Sequence, residues 1–346
     1  MDKYIELLGN LIRIPSVSRD EKAAADLLEV WMKEQGLAPQ RKGNNLWVSE
    51  CESDGRPTIL LNAHIDTVKP ASGYTRDPFT PSVEDGKLYG LGSNDDGGSL
   101  VALLAVYMKL AGTGQPYRLI YSATAEEEVS GREGLDLILG EIGNIDLGIM
   151  GEPTGMQMAV AERGLMVLDC NAVGKSGHAA RNEGVNAIYQ ALEDIEWFRT
   201  HEFERVSEYL GPVKMTVTQI NAGTQHNVVP DSCSFVVDVR PNGMYTNVEL
   251  LQMIKNSVRC AVKERSTRIN SSHIDVNHPV IRRGISLGLS TFGSPTTSNQ
   301  ALVSFPTVKI GPGDSARSHS ADEYIRIEEI TRAVDIYTDL LDGLEL

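Results

Sequence analysis

The sequence predicts an α/β domain that is interrupted by a second, compact α+β domain. At 346 residues the chain is longer than one hydrophobic core usually serves, so two domains are expected. Short apolar runs typical of buried strands alternate with helical patterns in the first half of the chain and again near its end. Between residues 164 and 273 the pattern changes to longer strands grouped around two helices.

The composition disfavours several classes of protein. Apolar residues make up 41% of the chain, too many for a disordered protein. No apolar run approaches the roughly 20 residues of a membrane-spanning helix, and the start M-D-K-Y lacks a signal-peptide core, so we expect a cytoplasmic protein. A formal net charge of −15 disfavours nucleic acid and anionic membranes and favours a small-molecule partner. The four cysteines form no C-x-x-C pair, so no thiolate zinc site is indicated.

The first elements are recognised from their apolar spacing and their ends. A helix is predicted over Lys3–Ile14. Ser18 and Glu21 have the spacing of a capping box, which would begin a helix over Lys22–Gln35. A short strand is predicted over Asn45–Ser49.

The next segment combines a buried strand with polar residues. Ile59–Leu61 is an unbroken apolar run, typical of a strand that is buried on both faces. His64 and Asp66 follow it, and in an extended chain their side chains project from the same face. The carboxylate could therefore hold the N–H of a metal-binding histidine. An ordinary hydrogen-bonded histidine at a strand end is the alternative.

Asp95 lies among glycines just before a predicted helix over Ser99–Leu110. A glycine run before a helix could indicate a phosphate-binding loop. This run lacks both the Walker lysine and the dinucleotide-binding spacing, so we reject that interpretation. We expect the glycines to hold Asp95 at the start of the helix.

Two further acidic positions follow predicted strands. Glu126–Glu128 comes after a strand over Tyr117–Ala125, at an edge where the active groups of α/β folds collect, although three acids in a row are also typical of a solvated turn. Glu152 follows a strand over Asp146–Gly151, and Pro153 favours an extended conformation for it.

The second domain is predicted to contain an antiparallel sheet and two helices. Its strands are Leu165–Val173, Val213–Ile220 and Ser234–Arg240, and its helices are Gly184–Phe198 and Asn247–Lys263. The first pattern then returns, with a strand over Thr307–Gly311 and a helix over Ile327–Leu341. We therefore assign residues 1–163 and 274–346 to the first domain and residues 164–273 to the second.

Five polar residues of the first domain follow strands or lie in loops: His64, Asp95, Glu128, Glu152 and His319. Imidazoles and carboxylates are the ligands of zinc and similar cations. Five such ligands suit two ions about 3.5–4 Å apart, with one carboxylate shared between them.

A set of motifs spans almost the whole chain: L-N-A-H-I-D-T-V, Y-G-L-G-S-N-D-D-G-G, T-A-E-E-E-V, G-E-P-T, G-K-S-G-H-A-A-R, N-V-V-P-D, D-V-R-P and G-P-G-D-S-A-R-S-H-S-A-D-E-Y-I. In content and order the sequence resembles the co-catalytic zinc metallopeptidase family, which includes acetylornithine deacetylase, succinyl-diaminopimelate desuccinylase, aminoacylase and glutamate carboxypeptidase. The resemblance implies a zinc-exopeptidase-like catalytic domain with a mostly parallel sheet, interrupted by a ferredoxin-like dimerisation or lid domain.

The resemblance also implies roles for individual residues. Asp95 would bridge two divalent ions, zinc or alternatively cobalt, and would precede a cis peptide bond to Asp96. His64 and Glu152 would complete the shell of one ion, and Glu128 and His319 that of the other. Among the catalytic residues, Asp66 would hold His64 and Glu127 would be the general base.

Three residues of the second domain also match the family. The resemblance implies a homodimer in which His178 reaches the active site of the partner subunit, while Asn227 and Arg240 contact substrate. A turn residue at His178 and an interdomain ion pair at Arg240 are the alternatives.

The implied reaction is hydrolysis of an N-acyl amino acid, most like an N-acetylornithine deacetylase of arginine biosynthesis. Asn299 stands where that branch has an acid, so an N-acetyl or N-succinyl citrulline is a further candidate substrate. Succinyl-diaminopimelate desuccinylase and dipeptidase or carboxypeptidase activities are alternatives within the family. A non-catalytic binding protein on this scaffold is the alternative outside it.

Overall fold

The computed structural model describes residues 1–181 and 183–346. Its helices are α1 (Asp2–Ile12), α2 (Lys22–Glu34), α3 (Gly98–Leu110), α4 (Leu135–Ile142), α5 (Ala187–Thr200), α6 (Asn247–Ser257), α7 (Pro279–Ser286) and α8 (Ile327–Leu341). Its strands are β1 (Gln40–Lys42), β2 (Asn45–Ser49), β3 (Thr58–His64), β4 (Ser82–Glu84), β5 (Lys87–Tyr89), β6 (Arg118–Thr124), β7 (Leu147–Met150), β8 (Met158–Glu162), β9 (Met166–Val173), β10 (Gly177–His178), β11 (Lys214–Ala222), β12 (Val228–Val229), β13 (Ser232–Arg240), β14 (Ala261–Glu264), β15 (Ser272–His273), β16 (Thr291–Ser294), β17 (Thr307–Lys309) and β18 (Tyr324–Arg326).

The chain divides into two units. The first consists of Met1–Val160, His273–Phe292 and Ser298–Leu346, and the second of Ala161–Ser272 and Gly293–Thr297. The sequence-based division places Gly293–Thr297 in the first domain, whereas the structure places this segment in the second unit. The carbonyl of Ser294 there accepts the N–H of Arg163 at 3.2 Å.

The first unit is built on a mixed sheet in the order β1-β2-β6-β3-β7-β17-β8-β15, with β16 paired to β8. Its centre, β6-β3-β7-β17, is parallel, and the flanking pairs β1–β2, β2–β6 and β17–β8 are antiparallel. The predicted α/β class with a mostly parallel sheet is confirmed. Every residue of β3 and of β6 is buried, as expected for strands covered on both faces.

Helices cover this sheet. The helix α3 packs on β3 and β6 and against α8, and α1 packs against α3. A second cluster joins α4 to the strands through Leu60, Ile120, Ile138 and Met150. None of the helices in the described residues has the length and hydropathy of a membrane-spanning segment.

The second unit contains an antiparallel sheet in the order β11-β13-β9-β14 with helices α5 and α6. The chain order β9-α5-β11-β13-α6-β14 is the ferredoxin-like arrangement, as predicted. The core contains alternate residues of β9 and β13, such as Leu168, Cys170, Phe235 and Val237.

Two details of the sequence-based description are wrong. The predicted helix Asn247–Lys263 ends at Ser257, and Ala261–Glu264 is the fourth strand of the small sheet. The helix ends there because the carboxylate of Asp194 accepts the N–H groups of Arg259 and Cys260, at 2.9 and 2.8 Å, which favours a non-helical connection.

The predicted capping box is the second error. Neither Ser18 nor Glu21 caps α2, which has no side-chain cap hydrogen bond. The hydroxyl of Ser18 donates to Asp66 at 2.7 Å, and Glu21 accepts from the N–H of Glu126 at 3.3 Å. Both side chains are therefore directed toward the strand ends of the large sheet.

Candidate active site

The candidate site lies at the carboxyl edge of the parallel strands. His64 ends β3 and pairs in register with Thr124 at the end of β6, and Glu152 follows β7 by two residues. Because neighbouring parallel strands end at the same edge, residues distant in sequence meet there. The turn before α3 supplies Asp95, and the segment after β17 supplies His319.

Asp95 lies between the two histidines. Its Oδ1 is 3.2 Å from Nε2 of His64, and its Oδ2 is 3.6 Å from Nε2 of His319. One carboxylate thus faces one imidazole with each of its oxygens, an arrangement suited to a carboxylate shared by two cations.

The other acids complete the cluster on either side of Asp95. Both carboxylate oxygens of Glu128 lie near Nε2 of His319, at 3.1 and 3.0 Å. An oxygen of Glu127 lies 3.9 Å from Nε2 of His64. Glu152 forms with His64 and Glu127 a group whose potential ligand atoms all lie within 4.8 Å of one another.

Asp66 connects three parts of the site. Its Oδ1 lies 3.4 Å from Nδ1 of His64 and accepts the N–H of Glu127 at 3.1 Å. Its Oδ2 accepts the N–H of Glu128 at 3.1 Å. The nearest partner of Nδ1 of His64 is the main-chain carbonyl of Asp66, at 2.9 Å. Asp66 therefore orients the turn that carries the two glutamates as well as the histidine.

The turn that carries Asp95 is held by a buried acid. Oε1 of Glu323 accepts the N–H groups of Asn94 and Asp95, at 2.9 and 3.0 Å. The bond from Asp95 to Asp96 is cis. The tight path also needs Gly97, where a Cβ atom would lie 2.4 Å from the carbonyl oxygen of Gly92.

The histidines of the cluster favour the protonated form. Burial opposes charge on His64, but its hydrogen bonds to Asp66 and Asp95 and the charge of Glu127 raise its pKa well above the ordinary value. The hydrogen bond with Glu128 raises the pKa of His319 to about 9.

Burial lowers the pKa of a histidine but raises the pKa of an acid, because it disfavours the charged form of each. It raises the pKa of Glu127 to about 8, with a further contribution from the charge of Glu128. The pKa of Glu152 is well above its ordinary value, also through burial and the charge of Glu127. Burial would raise the pKa of Asp95 as well, but its hydrogen bond to His64 lowers it. The cluster is thus a group of acids whose mutual repulsion a cation would relieve.

This donor set fits divalent cations. Imidazole nitrogens and carboxylate oxygens bind zinc and neighbouring first-row ions. Within the described part of the chain, two groups of three residues have potential ligand atoms within 4.8 Å of one another, one of them His64, Glu127 and Glu152, and the other His64, Asp95 and Glu128.

Two of the predicted residues of the second unit, His178 and Asn227, are exposed, and the third, Arg240, is half-buried at the end of β13. His178 is an exposed residue of the short strand β10, and its Nδ1 accepts the N–H of Ala180 at 3.1 Å. The carbonyl of Asn227 accepts the N–H of Ala179 at 3.0 Å. The guanidinium of Arg240 forms two hydrogen bonds to Asp238, at 2.7 and 3.0 Å.

Asn299 does not have the environment that the citrulline hypothesis assumed. Its side chain is buried, and its Nδ2 donates to Oδ1 of Asn62 at 3.0 Å and to Oγ1 of Thr124 at 3.2 Å. Both amide hydrogens therefore have acceptors within the first unit. The presence of Asn299 in place of an acid therefore gives no information on the distal group of the substrate.

Several residues that organise the site have no recognisable functional signature in the sequence. Glu323 lies within the matched D-E-Y-I motif. The spacing of Glu21 resembles a helix cap, and Asn45 begins a predicted strand. A local pattern shows none of these functions, because the N–H groups of the site that they accept lie 80 or more residues away in the chain.

Comparison with known proteins shows the family of the chain. The sequence model of Peptidase family M20/M25/M40 matches residues 60–343. The chain belongs to this family. It is accordingly a metallohydrolase that cleaves amide bonds, and the family resemblance inferred from the motifs is confirmed.

Named relatives match the M20 chain along nearly its whole length. Succinyl-diaminopimelate desuccinylase 2 of Ruegeria sp. (strain TM1040) is 25% identical, over 97% of this chain and 94% of the relative. Acetylornithine deacetylase of Proteus mirabilis (strain HI4320) is 27% identical, over 98% and 96%. A Bacillus subtilis structure described as a dinuclear metal-binding peptidase of the M20 family superposes with a TM-score of 0.76 at 15% identity, covering 98% and 97% of the two chains.

Proposed function

We propose that this M20 enzyme is a two-metal N-acyl amino acid deacylase, most similar in activity to acetylornithine deacetylase. The position of Asp95 between His64 and His319 carries the proposal, because it suits a carboxylate that bridges two ions. His64 and Glu152 would complete the shell of one ion, and Glu128 and His319 that of the other. Zinc is the first candidate for both ions, and cobalt suits the same ligands.

The chain's own residues would handle the proton of the attacking water. When bound, the two ions supply positive charge that favours ionisation of the water and polarises the amide carbonyl. Glu127 would accept the proton as the water oxygen attacks the carbonyl carbon, and would return it to the nitrogen as the C–N bond breaks. The N–H of Glu127 donates to Asp66, which sets the direction of its side chain. The products are a carboxylate and a free amino acid.

The enzyme is proposed to act as a homodimer that forms through its second unit. The strand β11 lies at the edge of the four-stranded sheet, and its neighbour α5 carries exposed apolar side chains. Tyr189 and Leu192 of α5 are 66% and 51% exposed, and Ile220 of β11 is 56% exposed. An open edge strand with apolar neighbours is a surface that a second copy can cover about a two-fold axis. In such a dimer His178 would reach the partner subunit's site and stabilise the oxyanion, while Asn227 and Arg240 would contact substrate.

The proposal also names the amino acid and the acyl group of the substrate. The two named relatives act on acetylornithine and succinyl-diaminopimelate, as their names state. We place acetylornithine first because the G-P-G-D-S and S-H-S-A-D-E-Y-I segments look most like that branch. Acetyl- and succinyl-citrulline remain candidates, although Asn299 no longer supports them. Dipeptides and carboxypeptidase substrates form the second class, which the Bacillus subtilis peptidase represents.

A hydrolysis panel combined with metal analysis tests the proposal. The enzyme, loaded with zinc or with cobalt, is given acetylornithine, acetylcitrulline, both succinyl analogues, succinyl-diaminopimelate and unblocked dipeptides at equal concentration. We expect about two ions per chain and the highest kcat/KM for acetylornithine. Hydrolysis of dipeptides alone would assign the protein to the peptidase class. Absence of hydrolysis by protein that holds two ions would contradict a deacylase.

A further inference from the structure

The turn Ala125–Glu128, here called the catalytic turn, donates its consecutive N–H groups to side chains. It follows β6 and carries the proposed base and one proposed ligand. The acceptors are Oδ1 of Asn45 for Ala125 at 2.9 Å, Oε1 of Glu21 for Glu126 at 3.3 Å, and the two oxygens of Asp66 for Glu127 and Glu128 at 3.1 Å each. Side chains from three earlier segments thus replace the backbone acceptors that a strand or helix would supply.

The three acceptor residues are buried, which makes their partners important. Asn45 is 0% exposed, and Glu21 and Asp66 are each 1% exposed. A buried polar group without a partner is costly, so such residues persist where each polar atom is used. All three bind the catalytic turn from inside the protein.

Further hydrogen bonds orient these acceptors. Oε1 of Glu21 also accepts the N–H of Arg19 at 2.5 Å, and its Oε2 accepts from the amide of Asn44 at 2.9 Å. Oδ2 of Asp66 accepts from the hydroxyl of Ser18 at 2.7 Å. The amide of Asn45 donates to two carbonyls, one of them that of Glu133 at 2.6 Å. Each acceptor is therefore held by groups outside the catalytic turn.

The catalytic turn needs this support because its backbone is strained. Glu126 has a φ of 56°, in the left-handed region that side chains other than glycine rarely adopt. Such a conformation persists only where the surroundings hold it. Release of the N–H of Glu126 would let the next two residues turn, and their carboxylates would leave the positions that face His64 and His319.

We propose that Glu21 and Asn45, with Ser18 acting through Asp66, are positioning residues that hold the catalytic turn in the conformation required for hydrolysis. The inference rests on the proposed deacylase function. It reassigns the S-R-D-E segment, whose spacing resembles a helix cap, to support of the active site. Glu21 and Asn45 act through main-chain N–H groups, whereas Ser18 acts on the carboxylate that accepts two of them.

Two substitutions of Glu21 test whether its hydrogen bond to the N–H of Glu126 is required. One keeps the acceptor and the other removes it. Glu21→Gln keeps Oε1 as an acceptor, and Asn44 can turn its amide to satisfy the new NH2 group. Glu21→Ala removes the acceptor. We expect Glu21→Ala to lower kcat about 10- to 100-fold with KM changed less than about twofold, and Glu21→Gln to keep kcat within about threefold. Ser18→Ala, which is milder, should lower kcat by roughly threefold to tenfold.

Two control variants distinguish positioning from loss of stability. Asp20→Ala removes an exposed carboxylate beside Glu21 and should leave kcat unchanged. Gln115→Ala removes a buried side chain, 8% exposed, that accepts the N–H of Gly343 at 2.7 Å, near the opposite end of β6. It should lower Tm and leave kcat of the folded enzyme unchanged.

Hydrogen–deuterium exchange of the metal-free protein provides a readout that needs no activity. Peptides that cover the catalytic turn should exchange at least about tenfold faster in Glu21→Ala than in wild type, and at the wild-type rate in Glu21→Gln and Asp20→Ala. Unchanged exchange, or wild-type kcat in folded Glu21→Ala and Ser18→Ala, would overturn the inference. If Glu21→Ala does not fold, Ser18→Ala decides by the same two measurements. If wild type hydrolyses no substrate of the panel, the proposed function fails, while exchange still tests the support of the turn.

Discussion

At the scale of single residues, the glutamates of the site differ in the groups that their carboxylates contact, although their side chains are chemically identical. Glu126, Glu127 and Glu128 are neighbours in sequence, yet the carboxylate of Glu126 accepts the N–H of Glu133 at 3.3 Å while the other two face the histidines. The left-handed conformation of Glu126 separates the directions of the three side chains. Identical residues therefore have different roles.

Glu127→Gln tests the proposed base. The amide has nearly the same size but cannot accept the proton of water, so we expect kcat to fall by about 10²- to 10⁴-fold. Steady-state kinetics on the preferred N-acyl substrate, with metal content measured on the same samples, provide the check. Two ions should remain bound. Glu133→Gln, which changes an exposed acid nearby, is the control. A kcat within about threefold of the wild-type value would exclude Glu127 as the base.

Glu323 offers a second test at this scale. Burial and the charge of Asp95 raise its pKa to about 8, and its Oε1 accepts two N–H groups. Glu323→Gln keeps that acceptor and removes the repulsion, so stability should be close to wild type. Glu323→Ala leaves two buried N–H groups without an acceptor, at a cost of about 1–3 kcal/mol each.

The measurement for this pair is chemical denaturation of both variants, with cobalt affinity determined alongside. Glu323→Ala should lose stability and bind cobalt more weakly, because the turn that carries Asp95 is released. Equal stability of the Ala and Gln variants would show that the hydrogen bonds to Glu323 contribute little.

At the scale of elements, strand ends bring the site together, and an edge strand of the second unit is the proposed dimer interface. The parallel strands β6, β3 and β7 place their carboxyl ends side by side, which depends on register. A register change of one residue would turn His64 to the opposite face of the sheet. In the second unit, β11 has no partner on its outer side among the strands of the four-stranded sheet that the structure describes.

Ile220→Lys tests the edge strand as a dimer interface. The charge would be buried without a partner in a dimer, whereas it stays in water in a monomer. Light scattering after size exclusion should show a dimer for wild type and a monomer for Ile220→Lys. Val248→Lys, on the exposed face of α6 and 63% exposed before substitution, is the matched control and should remain dimeric. A monomeric wild type would contradict the proposal.

At the scale of the whole molecule, the site links metal binding, pH and stability. In the metal-free protein the pKa of His319 is raised to about 9 by Glu128, and that of Glu127 to about 8 by burial. The unfolded chain has ordinary values of roughly 6.5 and 4.3. Folding therefore takes up protons between these values, and stability falls as pH rises through them.

We expect Tm of the metal-free enzyme to fall as pH rises from about 6.5 to 9, since the histidine contribution is complete below its unfolded pKa and lost above its folded one. Divalent ions replace protons at the same groups, so cobalt should raise Tm more at pH 8.5 than at pH 6, within roughly that window. Thermal denaturation with chelator and with added cobalt measures both effects. A Tm that is constant or rises with pH in chelator would contradict the linkage.

Local patterns in the sequence are sufficient to predict the fold class, most element positions and the residue types of the site. Apolar runs and helical spacing identify buried strands such as Thr58–His64 and helices such as Ile327–Leu341, because these patterns depend on neighbours within a few residues. The order of motifs identified the family. The five proposed ligands follow strands or lie in loops of the first domain, and the family resemblance assigned their roles.

The contacts between atoms of the site depend on how the whole chain folds. That Asp95 faces two histidines, that Glu21 holds the catalytic turn, and that Asn299 is buried against Asn62 all depend on segments far apart in the chain. Local patterns contain no information on strand register or on hydrogen-bond acceptors supplied from a distance. The same limit explains why a helix cap was predicted at Ser18 and Glu21, where the folded chain needed acceptors for another segment's N–H groups.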